Sequence, residues 1–595
     1  MIDYRIDVGQ PHTHRYTVTL QVRQPGAQVR LSLPVWIPGS YLVREFARHL
    51  LHLQASQGDT PCPTLQQDKT SWLIHCAGNK PLTVRYEVYA NDTSVRAAFL
   101  DARRGFFNGT SVFLRVEGRE TEAHRVQIAR LPKGWKVATS LPSIKVDARG
   151  QGSYEAPDYD ALVDHPVELG TFWHGHFSVR GVRHELVVTG AADHADLDRV
   201  LADTQRICEA QIAFWHGRRK PPFDRYVFLL NVIEDGYGGL EHRASTALIC
   251  SRRDLPRQGH AQAGDAYTTL LGLISHEYFH TWNVKRLKPT EFAPYDYTQE
   301  NYTQMLWFFE GFTSYYDDLF LLRTQRIDAP HYLKLLIKPI NQVLATPGRR
   351  VQSVAQASFD AWTRYYRPDE NTANATVSYY TKGSLVALAL DLSLRLGPPR
   401  ADGAIPSLDG VMARLWALQR PITQADVAQV LHDEATAPPR HARDWGTLLD
   451  RWVHGTDDLP LQDLLEAFAV RWTDKTGSAS QQLGLRAHET PQGLKAQSVM
   501  HGSPAEQAGL SAGDELIALD GWRLKRPDDL NHFHHGSREQ SLLICRDQRL
   551  MTLTLPVPGT GTSPWNHTVL LTLKDGAHDP QVDLGFNRRK AWLGC

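Results

Sequence analysis

Residues 275–280 read Ser275-His276-Glu277-Tyr278-Phe279-His280, inside an apolar run that extends from Tyr267 to Pro289. An α-helix turns about 100° per residue, so His276 and His280 lie on one face and can bind a single metal ion. Glu277 lies beside them, where its carboxylate can accept a proton from a metal-activated water. The apolar neighbours predict a buried helix, in which polar side chains need partners. The stretch therefore predicts a zinc site on a buried helix.

A chance occurrence of this motif is the alternative, because the chain has 27 histidines. Roughly one such chain in twenty would contain the pattern by accident. A third ligand distinguishes the two interpretations. Glu310 lies in the apolar segment 305–316, where a lone carboxylate needs a positive partner. With His276 and His280 it would complete a three-ligand site whose fourth position stays open to water, as in catalytic zinc sites.

Asp317 follows Glu310 by seven residues, two helical turns along the same face. We expect Asp317 to hydrogen-bond the second ring nitrogen of a ligand histidine and to fix its tautomer. The alternative is that Asp317 and Asp318 face solvent.

Composition indicates an ordinary globular protein. The chain has 595 residues, 42% of them hydrophobic, and this length predicts about three or four domains. The 65 basic and 65 acidic side chains cancel, which argues against nucleic acid or an anionic membrane as a partner. The sequence shows no signal peptide and no apolar run that could cross a bilayer. Six scattered cysteines fit reduced thiols, so we expect a cytoplasmic protein.

Residues 1–172 are predicted to form an antiparallel β domain. Apolar and polar residues alternate over 16–22 and 82–88, and turn residues such as those at 24–26 separate the runs. Such alternation is typical of a sheet with one solvated face.

The following part, residues 173–395, shows a helical pattern at 196–215 and buried-strand patterns at 226–232 and 245–250. Helical periodicity recurs after residue 383, so residues 396–472 are predicted to form a helical subdomain. The polar stretch 473–478 is predicted to be a linker.

A glycine-rich segment, Gly236-Tyr237-Gly238-Gly239-Leu240-Glu241-His242, lies between the two predicted strands. Gly238 and Gly239 allow an extended peptide to approach the backbone closely, and Glu241 then lies at the mouth of that groove. The alternative is a plain hairpin loop with a solvated glutamate.

A separate unit is predicted over residues 481–557. Gly502-Ser503-Pro504-Ala505, followed by Gly513-Asp514-Glu515-Leu516, resembles the signature of PDZ domains, and Leu483-Gly484-Leu485 resembles their carboxylate-binding loop. PDZ domains bind peptide ends by adding a strand to a sheet edge. We interpret His532, His534 and His535 as surface residues and not as a second metal site. For the tail, residues 558–595, the sequence predicts no role.

Together, these motifs resemble the glycyl aminopeptidases of metallopeptidase family 61. The similarity is carried by Pro34-Val35-Trp36-Ile37-Pro38-Gly39-Ser40-Tyr41-Leu42, by residues 276–288 and by the PDZ-like unit, so it covers nearly the whole chain. It implies a multidomain α+β fold with an N-terminal antiparallel β domain, a thermolysin-like α/β zinc peptidase domain with a helical C-terminal part, and a C-terminal PDZ domain. It also implies one Zn²⁺ per chain, peptide substrates with a free N-terminus, and a preference for N-terminal glycine or alanine.

A more distant similarity is to aminopeptidase N. Residues 238–242 are similar to its Gly-x-Met-Glu-Asn segment, whose glutamate binds the substrate's α-amino group; Leu240 and His242 are departures. Residues 309–312 are similar to the segment around its third ligand, although Glu310 follows His280 by an unusually long interval. Residues 380–383 are similar to its Tyr-x-Lys-Gly segment, whose tyrosine stabilises the oxyanion. That similarity implies the oxyanion role for Tyr380, with the adjacent Tyr379 as the alternative.

We therefore expect a zinc aminopeptidase in which Glu277 is the general base, Tyr380 stabilises the oxyanion, and Glu241 binds the substrate together with Gly238 and Gly239. Two other classes stay open. One is a zinc endopeptidase to which the PDZ-like unit presents substrate C-termini. The other is a peptide-binding scaffold with an inactive catalytic domain.

Overall fold

The computed structural model describes residues 1–260, 264–435, 444–557, 567–574 and 580–594. The chain divides into two compact units, Met1–Asn301 and Tyr302–Cys595. The sequence-based boundaries at residues 172, 395, 472 and 481 stay predictions. In the described parts of the chain, every helix is too short or too polar to cross a lipid bilayer.

The first unit begins with β-structure. Its strands are β1 (Ile2–Asp7), β2 (Arg15–Val22), β3 (Gln28–Ser32), β4 (Leu50–Gln57), β5 (Thr60–Pro61), β6 (Thr64–Gln66), β7 (Ser71–His75), β8 (Leu82–Tyr89), β9 (Ala98–Leu100), β10 (Arg104–Phe107), β11 (Arg115–Val116), β12 (His124–Ala129), β13 (Lys136–Ala138), β14 (Ser143–Val146), β15 (Gly152–Ala156) and β16 (Val167–Gly170). A short helix, α1 (Tyr159–Val163), precedes the last of them.

Eight of these strands form one sheet in the order β14-β15-β12-β1-β2-β8-β4-β5. All neighbours are antiparallel except β1 and β12, which run parallel. Because successive side chains point to opposite faces, Tyr16, Val18, Leu20 and Val22 of β2 are fully buried. The antiparallel β prediction is thus confirmed, with one parallel pair that local alternation could not indicate.

Two four-stranded sheets, β13-β16-β10-β9 and β11-β3-β7-β6, complete this β region. Their core continues past residue 172, because Val187, Val227 and Leu240 belong to the same cluster of buried side chains. The predicted boundary at residue 172 is therefore crossed by a continuous core.

A five-stranded sheet follows in the order β17-β18-β19-β21-β20. Its elements are β17 (Trp173–Val179), β18 (Val182–Thr189), α2 (Leu197–His216), β19 (Arg225–Ile233), β20 (Gly238–Glu241), β21 (Ser245–Ser251) and α3 (Asp265–Phe279). The strands β18, β19 and β21 are parallel, and β19 is an almost continuous apolar run, as expected for a strand covered on both faces. The edge strand β20 runs antiparallel to β21. The predicted helix at 196–215 and both predicted strands are confirmed.

The second unit starts with helices. They are α4 (Leu306–Arg323), α5 (Ala329–Leu344), α6 (Val354–Phe359), α7 (Thr372–Ala375), α8 (Tyr379–Arg395), α9 (Leu408–Ala417), α10 (Gln424–Ala435), α11 (Trp445–Leu449) and α12 (Leu461–Glu466). The helices α4 and α8 touch through two glycines: a Cβ on Gly311 would lie 2.5 Å from the Cα of Gly383. Only glycine allows the two backbones to approach this closely.

The rest of the second unit is mixed. Its elements are β22 (Val470–Thr476), α13 (Ala479–Leu483), β23 (Leu485–Thr490), β24 (Gly493–Val499), α14 (Pro504–Gln507), β25 (Glu515–Leu519), β26 (Trp522–Arg523), α15 (Pro527–Phe533), β27 (Gln540–Arg546), β28 (Arg549–Leu555), β29 (His567–Leu573) and α16 (Pro580–Leu593). The strands β23 to β28 form a six-stranded sheet that contains its own buried core. This sheet occupies the region predicted to resemble a PDZ domain.

One C-terminal element differs from the sequence-based expectation, and another lies in the tail, for which no role was predicted. A strand, β22, covers most of the predicted linker and pairs with β29 from the predicted tail. In α16 the indole N–H of Trp592 donates to the Tyr315 hydroxyl at 3.1 Å. These contacts join residues far apart in sequence, so the local composition of 473–478 and 558–595 could not indicate them. Residues 558–566, 575–579 and 595 of the tail lie outside the described residues.

Candidate metal centre and active site

The two histidines of the opening motif converge at the end of α3. His276 lies in its last turn, and His280 is the residue at which the helix ends. Their Nε2 atoms are 3.0 Å apart, and the two rings are nearly perpendicular, at 84°. Two imidazoles bound to one tetrahedral zinc have their ligand nitrogens roughly 3.3 Å apart, given a Zn–N distance of about 2.0 Å. The helix geometry thus brings the two imidazole nitrogens close to the spacing that a shared metal ion requires.

The tautomer of His280 follows from its second ring nitrogen. Nδ1 lies 2.8 Å from the carbonyl oxygen of Asn283. A carbonyl can only accept a hydrogen bond, so Nδ1 carries the proton and Nε2 presents its lone pair. His280 is therefore oriented as a metal ligand by the backbone immediately after the motif.

Buried contacts hold α3 in place. The side-chain amide of Gln211 donates to the carbonyl oxygen of Ser275 at 2.8 Å. The Tyr278 hydroxyl lies 2.8 Å from Nε2 of His184, whose Nδ1 faces the carbonyl of Val182. Burial lowers the pKa of His184 to about 4, so its ring is neutral near pH 7 and accepts from Tyr278. Residues within the motif thus fix the helix from two sides.

Glu277 is 5% exposed, and β20 makes room for its side chain. A Cβ on Gly239 would lie 2.1 Å from Oε1 of Glu277 and 2.3 Å from its Cδ. Any larger residue at position 239 would occupy the space of this carboxylate. From the sequence, Gly239 was predicted to let a substrate peptide approach the backbone closely. In the structure, the group that lies against Gly239 is the Glu277 side chain. A Cβ on Gly238, by contrast, would meet only the Arg96 guanidinium, at 3.9 Å.

Glu241 ends the same strand and is 4% exposed. Its Oε1 has no hydrogen-bond partner among the described residues. A Cβ on Gly39 would lie 2.4 Å from Oε2 of Glu241, and Gly39 has φ +93°, which favours glycine. The N-terminal segment 34–42 therefore lies directly against this carboxylate. A buried carboxylate oxygen without a partner is a natural site for a cationic ligand.

A buried charge cluster lies next to Glu241 in the sequence. Lys285 Nζ is 2.8 Å from Oδ1 of Asp164, and both side chains are almost completely buried. The backbone N–H of Arg243 donates to Oδ2 of Asp164 at 2.9 Å, and His242 Nδ1 lies 3.4 Å from Oδ1. Burial alone would raise the pKa of Asp164, but the charges of Lys285 and Arg243 outweigh it and hold that pKa well below its usual range. This cluster fixes the chain that immediately follows Glu241.

Glu310 lies in α4 and is 2% exposed. One ligand atom from each of His276, His280 and Glu310 lies within 4.8 Å of the others. Among the described residues, these three side chains form a cluster that could hold a metal ion. Two imidazole nitrogens and one carboxylate oxygen are the donor set of catalytic zinc sites. His532, His534 and His535 do not form such a group in the described chain. The residues present therefore fit a zinc ion.

Tyr380 lies in the first turn of α8, one turn before the glycine contact with α4. Burial, and after it the charge of Glu310, raises the pKa of Tyr380 well above its ordinary value. Its hydroxyl thus keeps its proton and can donate a hydrogen bond. The adjacent Tyr379 is fully buried, whereas Tyr380 is only partly buried. Of the two residues, Tyr380 is the more exposed.

Asp317 is partly buried in α4, and its Oδ1 accepts from the backbone N–H of Asp318 at 2.6 Å. The second ring nitrogen of His280, Nδ1, is already hydrogen-bonded to the carbonyl oxygen of Asn283. A role for Asp317 in orienting His276 stays a prediction.

Comparisons with known proteins found two family models and several solved structures that match this chain. The family model of the M61 glycyl aminopeptidase matches residues 269–386, and that of the peptidase M61 N-terminal domain matches residues 3–171. The crystal structure of an aminopeptidase N family protein from Idiomarina loihiensis shares 36% identity with this chain; each chain is covered over 100% of its length, with a TM-score of 0.91. An M1 zinc metallopeptidase from Deinococcus radiodurans shares 15% identity over 77% of this chain and 94% of its own, with a TM-score of 0.47. Among curated proteins, no match was found.

The ligand cluster and the family matches define the chain as a metallo-aminopeptidase. It belongs to the M61 glycyl aminopeptidase family.

Several residues of this site carry no clear local signal in the sequence. Asp164 lies far from the motifs, and nothing local marks it. Lys285 could have been noticed, since a lysine in an apolar run requires a buried carboxylate partner. Gly39 belongs to a segment that carried the family resemblance, but its contact with Glu241 depends on the tertiary fold.

Proposed function

We propose that this protein is a zinc aminopeptidase that removes N-terminal glycine or alanine from peptides. His276, His280 and Glu310 would hold one Zn²⁺, as their converging ligand atoms support. When bound, the ion would lower the pKa of a water molecule toward neutrality and polarise the scissile carbonyl.

The remaining chemistry falls to side chains of this chain. Glu277 would accept the proton of the attacking water and pass it to the leaving amine. The Tyr380 hydroxyl, which the raised pKa keeps protonated, would donate to the oxyanion that develops on the first peptide carbonyl. Because Tyr379 is fully buried, we assign this role to Tyr380.

One observation carries the exopeptidase assignment: one face of β20 carries Glu241 and, at Gly239, lies against the Glu277 carboxylate of α3. Glu277 occupies the side-chain space of Gly239, and Glu241 follows two residues later. Positions i and i+2 of a strand share a face and are roughly 7 Å apart. A substrate that pairs its ammonium group with Glu241 would thus present its first carbonyl near Glu277. That spacing accommodates one residue, as an aminopeptidase requires.

The preference for a small residue is supported by Gly39. The segment around it lies against Oε2 of Glu241, on the carboxylate that would bind the substrate ammonium. A substrate side chain would have to share this space. The family description, a glycyl aminopeptidase, agrees with a preference for a small N-terminal residue.

The six-stranded C-terminal sheet supports a second binding function on the same chain. Its strand β23 is an edge strand, and Gly484 immediately before it has φ +66°. We propose that this PDZ-like region binds peptide or protein C-termini by strand addition.

The five described cysteines form no disulfide, which supports a cytoplasmic location.

Paired substrates test the proposal. Purified protein with one zinc per chain should hydrolyse glycyl and alanyl anilides, and the N-acetylated forms should be cut at least a hundredfold more slowly. Glu277→Gln should abolish the reaction with zinc retained. Equal cleavage of the acetylated substrates would overturn the exopeptidase assignment and favour an endopeptidase. Absence of hydrolysis by a zinc-loaded protein would favour the peptide-binding scaffold.

A further inference from the structure

A cavity of about 270 Å³ lies within the second unit. None of the residues that line it has a role in the proposed peptidase reaction. It is formed by the C-terminal turn of α5, by α8, by the segment 458–463 and by Trp472. Its apolar wall consists of Ile340, Val343, Leu344, Leu385, Leu459 and Leu461. Its volume suits a molecule with a short hydrocarbon chain.

Lys382 is the only cationic side chain among the described residues that line this cavity. It is 1% exposed, and its Nζ has no hydrogen-bond partner in the described chain. Burial lowers the pKa of Lys382, and the nearby charge of Asp458 only partly opposes this effect. An ammonium group buried without a partner is unfavourable, so its position calls for an anion.

The neighbouring carboxylates are engaged by arginines. Asp458, which also lines the cavity, accepts from Nε of Arg349 at 2.8 Å and lies 3.8 Å from Arg350. Asp457 pairs with Arg451 at 2.7 Å. Neither carboxylate forms an ion pair with Lys382 among the described residues. Asp463 lines the cavity as an exposed residue.

We propose that this cavity binds a small aliphatic carboxylate, whose anionic group pairs with Lys382 and whose hydrocarbon chain packs against the leucines and Ile340. A free amino acid and a simple monocarboxylate share this chemistry. They differ in the α-ammonium group, which is present only in the amino acid. The Asp463 carboxylate would accept a hydrogen bond from that group. Lys382 thereby gains a role that the Tyr-x-Lys-Gly motif alone did not assign.

Calorimetric titration of the zinc-loaded full chain tests the proposal. The probes are pentanoate, its neutral amide pentanamide, and L-norvaline, which adds an α-amino group to the same carbon chain. Pentanoate should bind, and pentanamide should bind at least tenfold more weakly, because it lacks the charge that pairs with Lys382. Lys382→Met should reduce the pentanoate affinity by a similar factor. Equal binding of acid and amide would overturn the proposal.

A cavity-filling variant separates this site from the metal centre, to which carboxylates can also bind. Leu344→Trp should abolish pentanoate binding while glycyl anilide hydrolysis continues, whereas Leu418→Trp, on an exposed residue, should leave binding intact. Pentanoate binding that survives Leu344→Trp unchanged would contradict the proposal, even if Lys382→Met fails to fold. Tighter binding of norvaline that Asp463→Asn removes would identify amino acids as the ligands; equal affinities would identify monocarboxylates.

Discussion

Gly239 and Glu277 occupy adjoining space: a Cβ on the glycine would lie 2.1 Å from Oε1 of the glutamate and 2.5 Å from its Cγ. The whole carboxylate end of Glu277, not only its tip, would have to move to admit a methyl group. The edge strand of the sheet thus sets the position of the proposed general base.

Gly239→Ala should therefore lower kcat by about a hundredfold to ten-thousandfold, the range for loss of general base catalysis. Zinc content should change little, since the histidines are untouched. Steady-state kinetics with a glycyl anilide, together with metal analysis, measure these effects. Gly238→Ala is the matched contrast, because its Cβ would face only the Arg96 guanidinium at 3.9 Å; its loss should be under tenfold. Similar losses in both variants would contradict the assignment.

The two tyrosines at the start of α8 allow a direct comparison. Tyr380→Phe removes the proposed oxyanion donor and should lower kcat by about a hundredfold to a thousandfold, with KM nearly unchanged. Tyr379→Phe, in a fully buried residue, should leave kcat within a few-fold of the wild type. Kinetic constants of the two variants decide the assignment, and a reversed order would move the oxyanion role to Tyr379.

The buried pair Asp164 and Lys285 should contribute strongly to stability. Asp164→Asn leaves Lys285 buried without its countercharge, so the free energy of unfolding should fall by about 3–5 kcal/mol. The exposed pair of Lys69 and Glu45 is the control, and Glu45→Gln should change stability by less than about 1 kcal/mol. Denaturant unfolding of the two variants gives both values.

The pH dependence of this contribution has a definite sign. The pKa of Asp164 is depressed in the folded state, so the stabilisation is fully present above the ordinary carboxyl value of about 4. It is lost progressively as the pH falls below that value and through the depressed pKa of the folded state. The difference in stability between wild type and Asp164→Asn should thus be constant from about pH 5 to pH 8 and shrink in stronger acid. A difference that disappears near neutral pH would contradict the direction of the shift.

Removal of the metal should destabilise the protein as well as inactivate it. Ligand atoms of His276, His280 and Glu310 lie within 4.8 Å of one another, close enough to share one ion. A ligand present at a thousand times its Kd stabilises the folded state by about 4 kcal/mol. A chelator should abolish hydrolysis and lower the unfolding midpoint, and added Zn²⁺ should restore both. In His276→Ala the chelator should have little effect on the midpoint. An identical chelator effect in that variant would place the stabilising ion elsewhere.

Local patterns were sufficient for the elements that carry the site. The helical spacing of His276 and His280 and the apolar run of β19 can be read from neighbouring residues, and both appear in the structure. Contacts between distant segments could not be predicted in this way. The pairing of β22 with β29 and the ion pair of Asp164 with Lys285 each join residues about a hundred positions apart, where no periodicity connects them.

The contact between Gly39 and Glu241 yields the sharpest test of the proposed specificity. Gly39→Ala would place a Cβ 2.4 Å from Oε2 of Glu241 and displace the carboxylate that is proposed to bind the substrate ammonium. KM for glycyl anilide should rise at least tenfold, whereas the slow cleavage of the N-acetylated form, which has no ammonium group, should be unaffected. Gly26→Ala is the matched control: Gly26 also has positive φ, at +71°, but a Cβ there meets nothing within 4 Å. It reproduces the backbone strain without the contact, so its KM should equal that of the wild type. A parallel loss of both substrates in Gly39→Ala would show that the segment supports the fold and not the binding of the amine.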